Sequence, residues 1–180
     1  LWSPAFLDGP QDPELSVRPP PRPLPPPPIL PAAARIADAG APSDGADYAL
    51  EGELGRGGMG QVFAARDRVL QRSIALKLMR PDLLADPQAA ARFVDEALIT
   101  GQLEHPNIVP VYDLGRTTDE RLFMGMKRVR GEELKALLRR EPATDPVRLQ
   151  RYLEVLTRVA DALSFAHSAG IVHRDLKPDN

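Results

Sequence analysis

The chain has 180 residues, a formal net charge of −2 and no cysteine. That length suits one ordinary domain, or one domain with a tail. The absence of Cys excludes a disulfide framework, a thiolate metal site and a cysteine nucleophile, and fits a reducing compartment such as the cytoplasm. No apolar run approaches the roughly 20 residues of a bilayer-spanning helix, and the near-balanced charge lacks the basic footprint of a nucleic-acid binder.

Proline divides the chain. Thirteen of the 20 prolines lie within residues 1–42, including Pro19-Pro20-Pro21 and Pro25 to Pro28. Such a stretch lacks backbone donors and favours polyproline II, so residues 1–47 are expected to be a disordered linker or tail. A docking site for a polyproline-binding partner is the alternative use of the same composition. Charge follows the same boundary, with a net −3 in residues 1–47 and +1 in residues 48–180.

From Tyr48 the pattern becomes strands and then helices. Residues 48–55 and 60–67 read as two strands around a glycine-rich turn. Residues 73–79 alternate with period two, which puts Ala75 and Lys77 on one face and Ile74, Leu76 and Leu78 on the other. A helix is expected from Asp86-Pro87 to about Leu103, with Asp86 as N-cap and Phe93, Ala97 and Thr100 along one stripe. Two more strands follow near 109–114 and 121–127. A short helix is expected over 131–140, acidic at its start and basic at its end. A longer one starts near Asp145-Pro146, carries Leu149, Leu153, Leu156, Ala160 and Leu163 at helical spacing, and ends before Gly170.

Three features carry chemistry. Gly55-Arg56-Gly57-Gly58-Met59-Gly60-Gln61-Val62 fits G-x-G-x-x-G-x-V, and glycines at such positions let backbone N–H groups reach phosphate oxygens. A plain glycine-rich hairpin also fits; a dinucleotide fingerprint needs a helix directly after Gly60, whereas residues 61–64 read as strand. Lys77 stands 17 residues beyond Gly60 in an otherwise apolar strand, where a lysine is costly unless paired or facing a solvated cleft. Glu96, on the inward border of the next helix, is its candidate partner. The third feature is His173-Arg174-Asp175-Leu176-Lys177-Pro178-Asp179-Asn180. Its Asp175 can accept a hydroxyl proton, Lys177 can neutralise a transferring phosphoryl group and the Asn180 amide oxygen can ligate Mg²⁺.

With these residues in order, residues 48–180 resemble the eukaryotic-like (Hanks-type) serine/threonine protein kinases, particularly the bacterial branch. The matching positions are Gly55, Gly57, Gly60, Val62, Ala75, Lys77, Glu96, His105 to Val109 and His173 to Asn180. The resemblance implies an α+β, protein-kinase-like bilobal fold. Its N-lobe, a five-stranded antiparallel sheet plus one helix, would span 48–129, with the start of a helical C-lobe over 130–180. It implies ATP with Mg²⁺, Mn²⁺ being the alternative ion, and Ser/Thr hydroxyls of proteins as acceptors. Lys177 supports Ser/Thr over tyrosine.

In the nucleotide site the resemblance gives Lys77 the α- and β-phosphates, held by Glu96, and places Leu54 with the glycines beside the nucleotide. Val62 and Ala75 would pack on adenine. Met126 would be the gatekeeper, Lys127–Val129 the hinge, and Glu133 the contact to ribose or a basic substrate residue. At the catalytic loop Asp175 would orient and deprotonate the substrate hydroxyl, Lys177 would meet the γ-phosphate and Asn180 would bind metal. Thr100, Tyr112 and His173 match regulatory-spine positions, and Arg174 implies control by activation-loop phosphorylation. Association of two copies for trans-autophosphorylation is compatible with the family. A membrane anchor elsewhere in the parent protein is also compatible.

The hinge Lys127-Arg128 departs from the family's usual acidic–aromatic pair. The chain starts at Leu1 and stops at Asn180, inside the motif, so a fragment is expected, truncated before the second metal site and inactive by itself. The alternative from another class is a pseudokinase or nucleotide-binding scaffold without turnover. A third is an interaction segment acting through its proline-rich tail.

Overall fold

The computed structural model describes residues 3–4, 33–40, 45–142 and 144–178. Its strands and helices are β1 (Ser3–Pro4), β2 (Ile36–Ala37), β3 (Tyr48–Arg56), β4 (Gly60–Asp67), β5 (Arg72–Met79), α1 (Pro87–Gly101), β6 (Val111–Arg116), β7 (Leu122–Lys127), α2 (Leu134–Arg140), α3 (Pro146–Ser168) and β8 (Ile171–Val172). The chain divides into two compact units. One holds the described residues of 25–102 together with Val109–Val129, and contains β2 to β7 with α1. The other holds Leu103–Ile108 and the residues from Arg130 onward, with β1 paired antiparallel to β8.

In the sheet unit the strand order is β2-β3-β4-β5-β7-β6. The five strands expected from the sequence are antiparallel neighbours. The period-two reading of β5 sets the two cores. Ile74, Leu76 and Leu78 pack with Leu50, Ala65 and Phe123 on one face. On the other, Met79, Leu122 and Met124 pack against Ala89, Phe93 and Ala97 of α1. Burying a side chain such as Phe93 or Phe123, each 1% exposed, contributes about 2–3 kcal/mol.

The sixth strand falls at Ile36–Ala37, within the segment 1–47 for which a disordered tail is expected, most of which lies outside the described residues. Ile36 and Ala37 pair parallel with Tyr48 and Ala49, while Ala34 bridges Thr117, just past β6, and its N–H donates to the Arg116 carbonyl at 2.8 Å. Residues 34–37 therefore touch β3 and the end of β6 together, and close the gap left as the sheet curls. Ala34 and Ile36 lie against the Leu50–Phe123 core, so apolar burial and the open edge of β3 both favour this seat. Tyr48 joins the same two regions. Its hydroxyl donates to Asp113 Oδ2 at 2.6 Å, its ring meets Phe123 edge-on at 5.5 Å, and burial together with the Asp113 carboxylate raises the phenol above its ordinary value. β1, which pairs with β8, also falls inside residues 1–47.

Both Asp-Pro helix starts are realised. The Asp86 side chain accepts from the N–H groups of Gln88 and Ala89, and Asp145 from those of Val147 and Arg148, each cap worth about 1 kcal/mol. The short helix starts later than expected, at Leu134. Gly131 adopts φ +146, outside the helical region, so Glu132 and Glu133 precede the first turn, and Glu132 instead pairs with Arg140 at 2.7 Å. On α3 the expected stripe is not the packed face, since Leu149, Leu153 and Leu156 are about half exposed. The packed side carries Tyr152, Ala162 and Ala166. Leu103 and Ile108 fill against the two alanines, and the Tyr152 hydroxyl donates to the carbonyls of Leu137 and Glu141 at the end of α2. His105 is the turn residue its place before Pro106 predicts. Its Nδ1 accepts from the Asn107 N–H at 3.2 Å, and its ring stacks on Phe165.

Candidate active site

In the sheet unit the glycine-rich turn joins β3 to β4. It is closed by the Gly57 N–H donating to the Gly60 carbonyl at 2.8 Å. A Cβ at Gly55 or Gly58 would meet nothing within 4 Å, so these glycines leave the outer side of the turn open. Gly60 is required for a different reason. A Cβ there would stand 2.9 Å from the Leu78 carbonyl oxygen, closer than real side chains approach, and a tight 3.2 Å from Lys77 Cγ. Gly60 thus lets the turn lie directly against the stem of Lys77.

Lys77 Nζ donates to both carboxylate oxygens of Glu96 at 2.7 Å. The two side chains are only 14% and 13% exposed. Burial raises the Glu96 pKa, but the charges and hydrogen bonds around it, those of Lys77 foremost, leave the carboxyl below its ordinary value. The ammonium also stands 5.5 Å from the centroid of the Phe93 ring, within cation–π range. Sequence reasoning assigned Phe93 only to the core stripe. Its place one helical turn before Glu96 was the available signal for a second role. Cross-strand register sets Val62 opposite Lys77 and Ala75 opposite Met126, so these four line one face.

In the second unit α3 gives way to β8 and then to the loop carrying Asp175. Arg174 takes φ +60, an uncommon conformation for a side chain with a Cβ. The Asp175 N–H donates to the His173 carbonyl at 2.8 Å, which closes a three-residue turn. Burial lowers the pKa of His173. Lys177 Nζ lies 3.1 and 2.9 Å from the two oxygens of Asp175. Beyond it the Pro178 carbonyl accepts from the Lys135 N–H in the first turn of α2, where a helix has donors to spare.

The profile of the protein kinase domain matches residues 48–180. The chain belongs to the protein kinase domain family. It is 43% identical over 133 residues to the serine/threonine-protein kinase pkn3 of Myxococcus xanthus, which covers 74% of this chain and 24% of that protein. It is 41% identical over 133 residues to PknE of Mycobacterium tuberculosis, covering 74% and 23%. Among solved structures, the PknI kinase domain of M. tuberculosis is similar, with TM-score 0.58, 33% identity, and coverage of 74% of this chain and 54% of that one. The chain spans about a quarter of the length of the curated relatives it matches.

The remaining family positions are distributed over both units. Leu54 and Val129 are 52% and 65% exposed in the sheet unit, Tyr112 is exposed and Thr100 half-buried. Glu133 is exposed at the N-cap of α2, in the second unit. Asn180, expected as catalytic and metal-binding, lies outside the described residues. Among those described, no cluster of three or more His, Cys, Asp or Glu side chains could hold a metal, and no helix is long and apolar enough to cross a membrane.

Proposed function

We propose that this kinase domain transfers the γ-phosphate of ATP to Ser or Thr hydroxyls of proteins. The observation that supports it most is the largely buried, two-pronged Lys77–Glu96 pair beside a glycine turn whose outer side is open. A lysine on a flexible four-carbon stem needs such a clamp to present its charge at a fixed point. Lys77 then neutralises the α- and β-phosphates, and Leu54, Gly55, Gly57 and Gly60 border the nucleotide. Val62 and Ala75 pack on adenine, Met126 and Val129 sit at the hinge side, and Glu133 meets the ribose or a basic substrate residue.

Asp175 orients the substrate hydroxyl and takes its proton as the oxygen bonds to the γ-phosphorus. The bond from that phosphorus to the β–γ bridging oxygen breaks, and ADP leaves. Lys177 offsets charge on the transferring group. A carboxamide such as that of Asn180 suits a hard, oxygen-seeking Mg²⁺ or Mn²⁺, whose chemistry is to neutralise phosphate charge. Proteins with Ser or Thr are the substrates in this reading, the cytoplasm is the compartment that supplies ATP, and two copies meet for trans-autophosphorylation. The proline-rich segment is a candidate ligand for a polyproline-binding partner.

The test uses the full-length protein with γ-labelled ATP and Mg²⁺. Label should appear on Ser or Thr, and Lys77→Met and Asp175→Asn should each reduce incorporation by a factor on the order of 10² or more. Nucleotide binding with no transfer by the wild type would favour the scaffold reading. More than a tenth of wild-type incorporation in either variant would remove these residues from the mechanism.

A further inference from the structure

β3 does not run evenly alongside β4. Leu50 lies opposite Ala65 and Gly52 opposite Ala64, then Glu53 opposite Phe63 and Gly55 opposite Val62. Two steps along β3 match one along β4 in both places, so Glu51 and Leu54 are the extra residues of two β-bulges within one nine-residue strand. A bulge re-aims the side chain of its extra residue. Leu54 is one of the nucleotide-site positions. Glu51 reaches across 77 positions of sequence, and its Oε2 accepts from Arg128 Nη1 at 3.0 Å.

Arg128 lies in the Lys127–Val129 segment, where the family resemblance leads one to expect an acidic–aromatic pair. The segment is tied on its other side by the Lys127 N–H, which donates to the Pro110 carbonyl at 3.1 Å. We infer that Glu51 is a positioning residue for nucleotide binding. Through Arg128 it fixes the spacing between the strand that enters the glycine turn and the segment that borders adenine. The basic residue at position 128 and the bulge at position 51 are then two halves of one device. The inference rests on the kinase reading and names what sets the width of its adenine slot.

The pair is part-exposed, with side chains 29% and 45% accessible, so the effect is modest and sensitive to salt. In the full-length protein, Glu51→Gln and Arg128→Gln should each raise the Kd for Mg-ADP and the KM for ATP about two- to fivefold, with kcat at saturating ATP unchanged. The charge-swapped double variant Glu51→Arg/Arg128→Glu should restore tight binding, and Arg128→Lys should fall between. In 1 M salt the difference between Glu51→Gln and wild type should shrink.

A purely structural role would lower the melting temperature, reduce kcat and KM effects together, and resist rescue by the swap. Unchanged nucleotide affinity in Glu51→Gln, or failure of the swap to rescue, would overturn the inference while leaving the kinase reading intact. Absence of nucleotide binding by the wild type would overturn both.

Discussion

Two lysine–carboxylate pairs sit at the two proposed functional regions of this chain, and they are built on opposite terms. Lys77 and Glu96 come from different elements, β5 and α1, 19 residues apart. They are nearly withdrawn from water, with the Phe93 ring 5.5 Å from the ammonium and Met124 opposite Lys77 on β7. Lys177 and Asp175 are two residues apart on one loop and about half exposed, 48% and 45%. The first pair is part of the packing between helix and sheet, so its geometry is imposed by the fold. The second is local and solvated, so its attraction is mostly screened. A lysine that must hold a fixed point of charge gains from the first design. A carboxylate that must receive a proton and a lysine that must follow a moving phosphoryl group gain from the second.

The contrast is broken most directly by removing the buried charge. Lys77→Met keeps the stem and its packing but removes the cation that clamps the Glu96 carboxylate. It should lower unfolding free energy by about 2–4 kcal/mol, somewhat less than breaking a fully buried pair costs. Chemical denaturation of wild type and variant measures this. The double variant Lys77→Met/Glu96→Gln should recover most of the loss. A Lys77→Met protein as stable as the wild type would mean that the pair is solvated in practice, and the distinction between the two regions would fall.

A smaller effect follows from pH. Because Glu96 is held below its ordinary value of 4.5, its contribution to stability is complete above that value. It is lost as pH falls through the lower, folded-state pKa, where the native carboxylate finally takes up its proton. Stability measured from neutral pH downward should therefore decline below about pH 4.5, and the decline should be shallower in Glu96→Gln. Parallel curves would show that other carboxylates carry the acid dependence.

Much of this was legible in the sequence, for reasons that are local. The alternation through Ile74, Leu76 and Leu78 set the two faces of β5 and hence the side on which Lys77 meets α1. Asp86-Pro87 and Asp145-Pro146 started their helices because a carboxylate next to a proline serves the first turn without outside help. What stayed hidden depends on more than one segment. The bulges at Glu51 and Leu54 are properties of a register shared by β3 and β4, and no pattern in β3 alone shows them. β2 is two residues long, too short for any periodicity, and it follows a proline-rich stretch whose composition argued for a tail. Gly60 was read as a phosphate-facing glycine, but the contact that requires it is with the Leu78 carbonyl on the neighbouring strand. At the catalytic loop the order of residues was plain, whereas the left-handed backbone of Arg174 could be found only in the folded chain.

The smallest effect concerns the exposed pair. Lys177→Ala removes an ion pair whose members are both about half accessible, and such pairs contribute between nothing and about 1 kcal/mol. The variant should unfold within about 0.5 kcal/mol of the wild type at moderate salt. Under the proposed mechanism its transfer activity should nevertheless fall steeply, because the charge assigned to the transferring phosphoryl group is gone. Stability and turnover would then separate at Lys177 while falling together at Lys77, which is what a solvated catalytic loop and a packed nucleotide clamp require. If Lys177→Ala instead cost several kcal/mol, the loop would owe its turn at Arg174 to the ion pair. Asp175 would then be held by Lys177 as Lys77 is held by Glu96.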